Sequence, residues 1–258
     1  MRRIVLIATA LGVLVAAGAA YAAINTYSAT LKFTSKKPGT AAKPVPVGYT
    51  QNIKASGTGG NRTAVLLDIK TTIYGLKMDG KDFPTCSLNK IAAAKTDAGC
   101  PKGAEMATGY ITASVGSATN FTAAGSACDP LLDVWNGGQG KLTFFFVDTP
   151  THQCLGGALK TGSTGPYPST YKTSGKNLVV DVPVPSYVSF PLPGVAGSLE
   201  TEHLVWKSAT KGKHISLASV ACKGKKRPYS TTFKATLPSS SGGAATTESK
   251  TVSATAPC

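Results

Sequence analysis

Tyr27, Ala29, Leu31 and Phe33 alternate with Ser28, Thr30, Lys32 and Thr34, which puts an apolar row on one face of an extended segment and a polar row on the other. Val65, Leu67, Ile69 and Ile73 repeat the pattern against Asp68, Lys70 and Thr72. Further strand-like runs follow at 110–115, 142–147, 178–184, 199–206, 214–220, 232–237 and 251–255, separated by clusters of Gly, Pro, Ser and Asn. Residues 142–147 are apolar on both faces and predict a central strand, whereas Pro183 and Pro185 push their segment toward an edge or a bulge. Helical spacing occurs only over 87–96, with Leu88, Ile91 and Ala92 on one side, so one short helix at most is expected. Many short strands with turn signals between them predict an all-β fold, an antiparallel β-sandwich of immunoglobulin-like or related type. Residues 23–258 are read as a single sandwich domain, the alternative being two packed β halves split near 156–175. The stretch 36–46 reads as a Pro/Lys-rich strand connection and 239–247 as a hairpin tip, because Cys258 must return to the body.

Composition supports this reading. The chain has 258 residues, 42% of them hydrophobic, enough to bury a core. Only 15% are charged, against about 25% in an average soluble domain, and Thr, Ser and Gly supply the missing polarity. The N-terminus predicts export: Arg2 and Arg3 precede an apolar run, and Ala20-Tyr21-Ala22 offers small residues at both signal-peptidase positions. Residues 1–22 are therefore read as a signal peptide of the general secretory route, cleaved before Ala23. The competing reading is an uncleaved anchor, since 4–24 is mostly apolar and about 20 such residues span a bilayer.

All six cysteines lie beyond that segment, and an even number in an exported chain reads as disulfides. Sequence-neighbour pairing is expected, Cys86 with Cys100, Cys128 with Cys154 and Cys222 with Cys258, because each pair brackets a stretch that can fold back on itself. Three such loops stabilise by about 10 kcal/mol in total as an upper figure.

Gly80-Lys81-Asp82-Phe83-Pro84-Thr85-Cys86, followed by Cys100-Pro101-Lys102-Gly103 and Gly109, resembles a pattern in uncharacterised exported proteins of soil actinobacteria. Val182-Pro183-Val184-Pro185, Pro193-Gly194-Val195, the run from Cys222 to Pro228, Phe233 and Cys258 continue the resemblance from about Leu66 onward. It implies a secreted β protein with the first and last cysteine pairs bonded, and it implies no activity. Cys128 and Cys154 depart from the simplest version of the pattern.

No catalytic constellation stands out. His152, His203 and His214 lack partners at metal-ligand spacing apart from His152 beside Cys154, which is expected to be oxidised, so no metal or other cofactor is expected. Ser87-Leu88-Asn89-Lys90 and Lys160-Thr161-Gly162 match two fragments of the penicillin-recognising serine enzymes, but no Ser-Asp-Asn lies between them. Asp129 with Asp133, and Glu200 with Glu202, are the close carboxylate pairs; the second would share one face of a strand, where two solvated residues are the ordinary outcome. Asp79 to Asp82 is too sparse in oxygen ligands for a calcium loop.

Charge is the strongest chemical signal, with 27 Lys and Arg against 12 Asp and Glu, a net of +15. Lys223, Lys225, Lys226 and Arg227 form its densest run, and Pro228 is expected to hold it extended so that the side chains splay. Beyond residue 22 the arginines are Arg62 and Arg227 alone, whereas base reading favours the planar Arg fork, so nucleic acid is disfavoured as a partner. An anionic cell-wall polymer or lipid head group fits a lysine-rich exported protein better, at about 1 kcal/mol per Lys near a charged surface. The function expected is that of a secreted, non-enzymatic binding or structural module at the cell envelope. The alternative is an extracellular hydrolase of wall polymer whose site is spread over loops.

Overall fold

The computed structural model describes residues 25–238 and 244–258. The expected signal peptide and residues 239–243 of the expected hairpin tip lie outside the described residues; the strands on either side of that tip do pair, Leu237 opposite Thr246.

Twelve strands build one antiparallel sheet. They are β1 (Asn25–Phe33), β2 (Tyr49–Gly57), β3 (Val65–Tyr74), β4 (Glu105–Ser117), β5 (Ser126–Cys128), β6 (Leu131–Gly138), β7 (Lys141–Val147), β8 (Tyr167–Ser174), β9 (Asn177–Pro183), β10 (Val195–Trp206), β11 (Lys226–Leu237) and β12 (Thr246–Pro257). Their order is β1-β2-β10-β4-β6-β7-β8-β9-β3-β11-β12, with β5 paired to the far end of β4. Strands from before and after 156–175 interleave in this order, so both halves of the chain share one core.

The two sheets of a sandwich are replaced by one sheet that curls until its edges meet. A twisted sheet of more than about ten strands must curl, split or flatten, and this one curls. At the seam, Asn25 N–H and the Tyr27 hydroxyl donate to Glu248 Oε1 on β12, each at 3.0 Å. The Tyr229 hydroxyl of β11 accepts from Leu31 N–H at 3.2 Å, and the Tyr27 ring stacks on Phe233 at 4.4 Å. No backbone ladder joins β1 to β12 among the described residues, so the eleven-stranded barrel is nearly but not fully closed.

Inward positions follow the period-2 rows: Tyr49 and Ile53 on β2, Leu204 and Trp206 on β10, Leu132 and Val134 on β6, Leu142, Phe144 and Phe146 on β7, Leu178 and Val180 on β9, Ile69 and Ile73 on β3, Phe233 and Ala235 on β11. The expected row of β3 breaks at Leu67, which is exposed at a register shift against β11 while Leu66 packs into the core. The expected central strand 142–147 is β7, paired on both sides; its outward Phe145 is covered by Ile91, Trp135 and the Cys86–Cys100 bond. The proline segment differs from expectation: β9 pairs with both β8 and β3, and the prolines stop it at Pro183 rather than marking an edge.

Two short helices form instead of one. Leu88–Ala94 (α1) starts at Ser87, whose side chain accepts from Lys90 N–H and so satisfies a free helix donor. Ser186–Ser189 (α2) is a single turn started by Pro185, whose fixed φ suits the entry to a helix. The run 214–220 also divides, His214–Ile215 pairing with Thr210–Lys211 while Leu217–Ser219 joins Val45–Pro46 and Leu76–Met78 in a small sheet. Leu76, Met78 and Leu217 of that sheet plug one end of the barrel.

Three disulfides join Cys86 to Cys100, Cys128 to Cys154 and Cys222 to Cys258. The segment Gly80 to Cys86 is docked by Asn136, whose Nδ2 donates to the carbonyls of Gly80 and Pro84 at 2.9 Å each, while Gly80 N–H donates to the Tyr171 hydroxyl at 2.7 Å. A side chain at Gly80 would collide with both partners, so the glycine is required by close packing. The segment from Gly80 to Cys86 is thus a structural clasp.

Candidate binding cavity and the basic turn

At the barrel end opposite the plug, the interior is not filled. Ile111, Ala113 and Val115 of β4, Leu132 of β6, Phe146 of β7, Leu199 of β10, Val188 of α2 and the loop carrying Leu159 enclose a cavity of about 100 Å³. Its walls are almost wholly apolar, with one carboxyl, Glu202, at its edge.

Glu202 owes its position to a bulge. β10 and β4 run in register from Val195↔Ser117 to Leu199↔Ala113, then resume at Thr201↔Thr112, so Glu200 is the extra residue. Before the bulge Gly197 and Leu199 face the cavity, and Ala196 packs outward against Val65 and Phe121. After it the even-numbered residues Glu202, Leu204 and Trp206 turn inward. The pair Glu200 and Glu202 therefore separates: Glu200 is exposed, and Glu202 is 7% exposed.

Glu202 Oε1 accepts from Gln51 Nε2 at 2.7 Å, and no cation pairs with it among the described residues. Burial pushes its carboxyl up to about 7, with the Gln51 hydrogen bond acting in the opposite direction. The Tyr49 hydroxyl and Trp206 Nε1 are buried without a hydrogen-bond partner among the described residues, and Trp206 lines a second, smaller void that Glu202 also reaches. An apolar interior with a few unsatisfied polar atoms is the ordinary composition of a small-molecule site. Glu202 was legible only through its place in the row Glu202, Leu204, Trp206, where alternation sets it beside apolar neighbours.

The basic run is folded otherwise than expected. Lys223 and Lys226 close a tight turn, Lys223 N–H donating to the Lys226 carbonyl at 2.9 Å, with Gly224 at φ 66°. The three lysines are exposed on this turn rather than splayed along an extended segment. Arg227 is 0% exposed and belongs to the inward row of β11, so it cannot contact a partner. Its Nη1 donates to the Gly75 carbonyl at 2.9 Å, its Nη2 to Ser219 Oγ at 2.7 Å, and its guanidinium lies 4.8 Å from the centre of the Phe33 ring.

The remaining sequence candidates are dispersed. Ser87 is a helix cap, and Thr161 of the Lys-Thr-Gly string donates to Asp148, so neither is arranged as a serine-enzyme centre. His152 Nδ1 lies 3.2 Å from the Asp129 carbonyl, His203 Nδ1 lies 2.7 Å from Asn52 Oδ1, and His214 Nδ1 lies 2.8 Å from Asp82 Oδ2. No group of three metal-ligating side chains exists among the described residues. Asp129 and Asp133 take separate partners, Gln153 N–H and the Thr108 hydroxyl.

Two carboxyl pairs were invisible in the sequence: Asp133 is joined by Asp97, and Asp68 on β3 and Asp181 on β9 lie together on the outer face, with Lys70 3.0 Å from Asp181. Burial and the hydrogen bond to Asp181 raise Asp68 to about 6. Hydrogen-bonded carboxyls stand too close to bracket a glycosidic bond, which needs about 5 to 10 Å between them. No helix among the described residues is long and apolar enough to cross a membrane. Comparison of the chain with protein-family models, curated proteins and solved structures finds no match.

Proposed function

We propose that this protein is an exported, non-enzymatic binding module that holds the apolar part of a small molecule inside the barrel, beside Glu202. The cavity carries the proposal: it is the place where a barrel interior otherwise filled by side chains leaves apolar space next to a buried polar group. An apolar cavity of 150 Å³ admits benzene, so about 100 Å³ suits a short acyl tail of about four heavy atoms. Below about pH 7 the protonated Glu202 supplies a hydrogen bond to a carbonyl or hydroxyl at the head of that tail. Three disulfides support residence outside the reducing cytoplasm. The exposed lysine turn of Lys223, Lys225 and Lys226 supports attraction to anionic wall polymer or lipid head groups.

The test uses short-chain alcohols and acids of four to eight carbons as probes, followed by ligand-observed NMR. Saturation transfer to the alkyl chain is expected with the native protein and its loss with Gly197→Leu. Gly197 faces the cavity, and a Cβ there meets nothing closer than the Val188 carbonyl at 3.6 Å, so the strand accepts a side chain at this position and leucine is chosen to occupy the space. Transfer that persists in the filled variant, or none in the native protein, overturns the proposal. Export is checked by N-terminal sequencing of the released protein, which is expected to begin at Ala23.

A further inference from the structure

We propose that Cys222–Cys258 is a thiol-exchangeable disulfide, and that Arg227 is the positioning residue that stabilises the Cys258 thiolate released when an external dithiol attacks it. Arg227 is fully buried, yet no carboxylate contacts it among the described residues. Its guanidinium is met by the carbonyls of Tyr74 and Gly75, Ser219 Oγ, the Phe33 ring and the disulfide itself. Nη2 lies 3.1 Å from Cys258 Sγ and 3.9 Å from Cys222 Sγ, and Nε has no partner. A buried cation without an anion is costly, and neutral disulfide sulfurs are weak acceptors. Reduction supplies the missing anion at the atom nearest the guanidinium, so the reduced form gains an ion pair that the oxidised form lacks.

The other two bonds are built differently. The sulfurs of Cys86, Cys100, Cys128 and Cys154 accept from neither Arg62 nor Arg227; Cys86, Cys128 and Cys154 are buried, and Cys100 alone of the four is partly exposed. Cys222 and Cys258 are both partly exposed, which admits an attacking thiolate. The surrounding side chains favour the same outcome: the turn and the start of β11 bring Lys223, Lys225, Lys226 and Arg227, while the paired end of β12, from Ala254 to Pro257, brings no charged side chain. Tyr74, Gly75 and Ser219 add none.

The exchange balances as follows. One thiolate of a dithiol attacks Cys222 Sγ, the S–S bond breaks, and Cys258 leaves as the thiolate paired with Arg227. The second thiol of the reagent, deprotonated, attacks the mixed disulfide, forming the reagent's own disulfide and releasing Cys222 as a thiolate that solvent protonates. Two electrons pass from the dithiol to the protein. The better leaving group is the sulfur closer to Arg227, so attack falls on Cys222.

The full, oxidised protein is treated with dithiothreitol under native conditions, quenched with a maleimide at intervals and mapped by peptide mass. Cys222 and Cys258 are expected to label at least about tenfold faster than the other four cysteines. In protein reduced at this bond alone, the rate of Cys258 alkylation is expected to rise with pH through a midpoint well below the ordinary thiol value of about 8.5. Arg227→Lys keeps that lowered midpoint and Arg227→Met returns it to the ordinary range or above. Simultaneous reduction of all three bonds, or an ordinary midpoint for Cys258 in the native sequence, overturns the proposal. The wild-type profile decides alone if Arg227→Met does not fold.

Discussion

Glu202 ties a single side chain to the behaviour of the whole protein with pH. Its carboxyl sits at about 7 in the folded chain and returns to about 4.3 when the chain unfolds. Between those values the native state binds a proton that the unfolded state has released, so stability is full below about pH 4 and falls as pH rises toward 7. The loss from this one group is at most about 4 kcal/mol. Asp68 and Asp133, each raised to about 6 chiefly by burial, slope the same way, so Glu202 is isolated by difference. Urea unfolding of Glu202→Gln is expected to show a shallower decline between pH 5 and 8 than the native protein; an unchanged slope would place the ionisation elsewhere. Gly197 offers a complementary gain: Gly197→Ala removes unfolded-chain freedom in a strand with room for a Cβ, and is expected to raise stability by about 0.5 to 1 kcal/mol in the same assay.

The bulge at Glu200 sets the register of an element. Because side chains alternate with period two, one residue decides which row of β10 meets the cavity. Deleting Glu200 is expected to turn Gly197 and Leu199 outward and bring Ala196 and Ser198 in, with loss of cooperative folding by circular dichroism. Glu200→Ala, which keeps the residue count, is expected to stay within about 0.5 kcal/mol of the native protein. For α1 the decisive atom is Ser87 Oγ, 3.3 Å from Lys90 N, and Ser87→Ala is expected to cost about 1 kcal/mol in thermal unfolding. The helix was readable from Leu88, Ile91 and Ala92, whereas β2 and β8 were not: Gln51 and Ser169 occupy inward positions and interrupt the apolar rows by which strands are recognised.

The seam is the weak line of the whole molecule. β1 and β12 are held there by side chains rather than by a ladder, with Glu248, Tyr27 and Tyr229 bridging the gap. Native-state hydrogen exchange is expected to be faster at the free-edge amides of β1 and β12 than in β6 and β7, which are paired on both sides. Tyr229→Phe removes the hydroxyl that accepts from Leu31 N–H and donates to the Ala29 carbonyl. It is expected to cost about 1 to 2 kcal/mol and to speed exchange in β1 selectively; uniform acceleration across the sheet would mean that the seam does not open on its own.

The sequence by itself determined which residues lie on each face of most strands, where α1 begins and which local stretches the cysteines bracket, because each of these depends on neighbours a few residues apart. Period-two alternation even puts Arg227 in one row with Tyr229, Phe233 and Ala235. Only the tertiary structure decided what covers each face. Closure into a barrel depends on the summed twist of eleven strands whose order, from β1 beside β2 to β8 beside β9 and β3, is not the chain order. The burial of Glu202 depends on a one-residue bulge set by β4, the Asp68 and Asp181 pair on two strands far apart in sequence, and the fate of Arg227 on Phe33, Gly75, Ser219 and Cys258 converging around it. Local pattern specifies faces, but burial and charge are properties of what those faces meet.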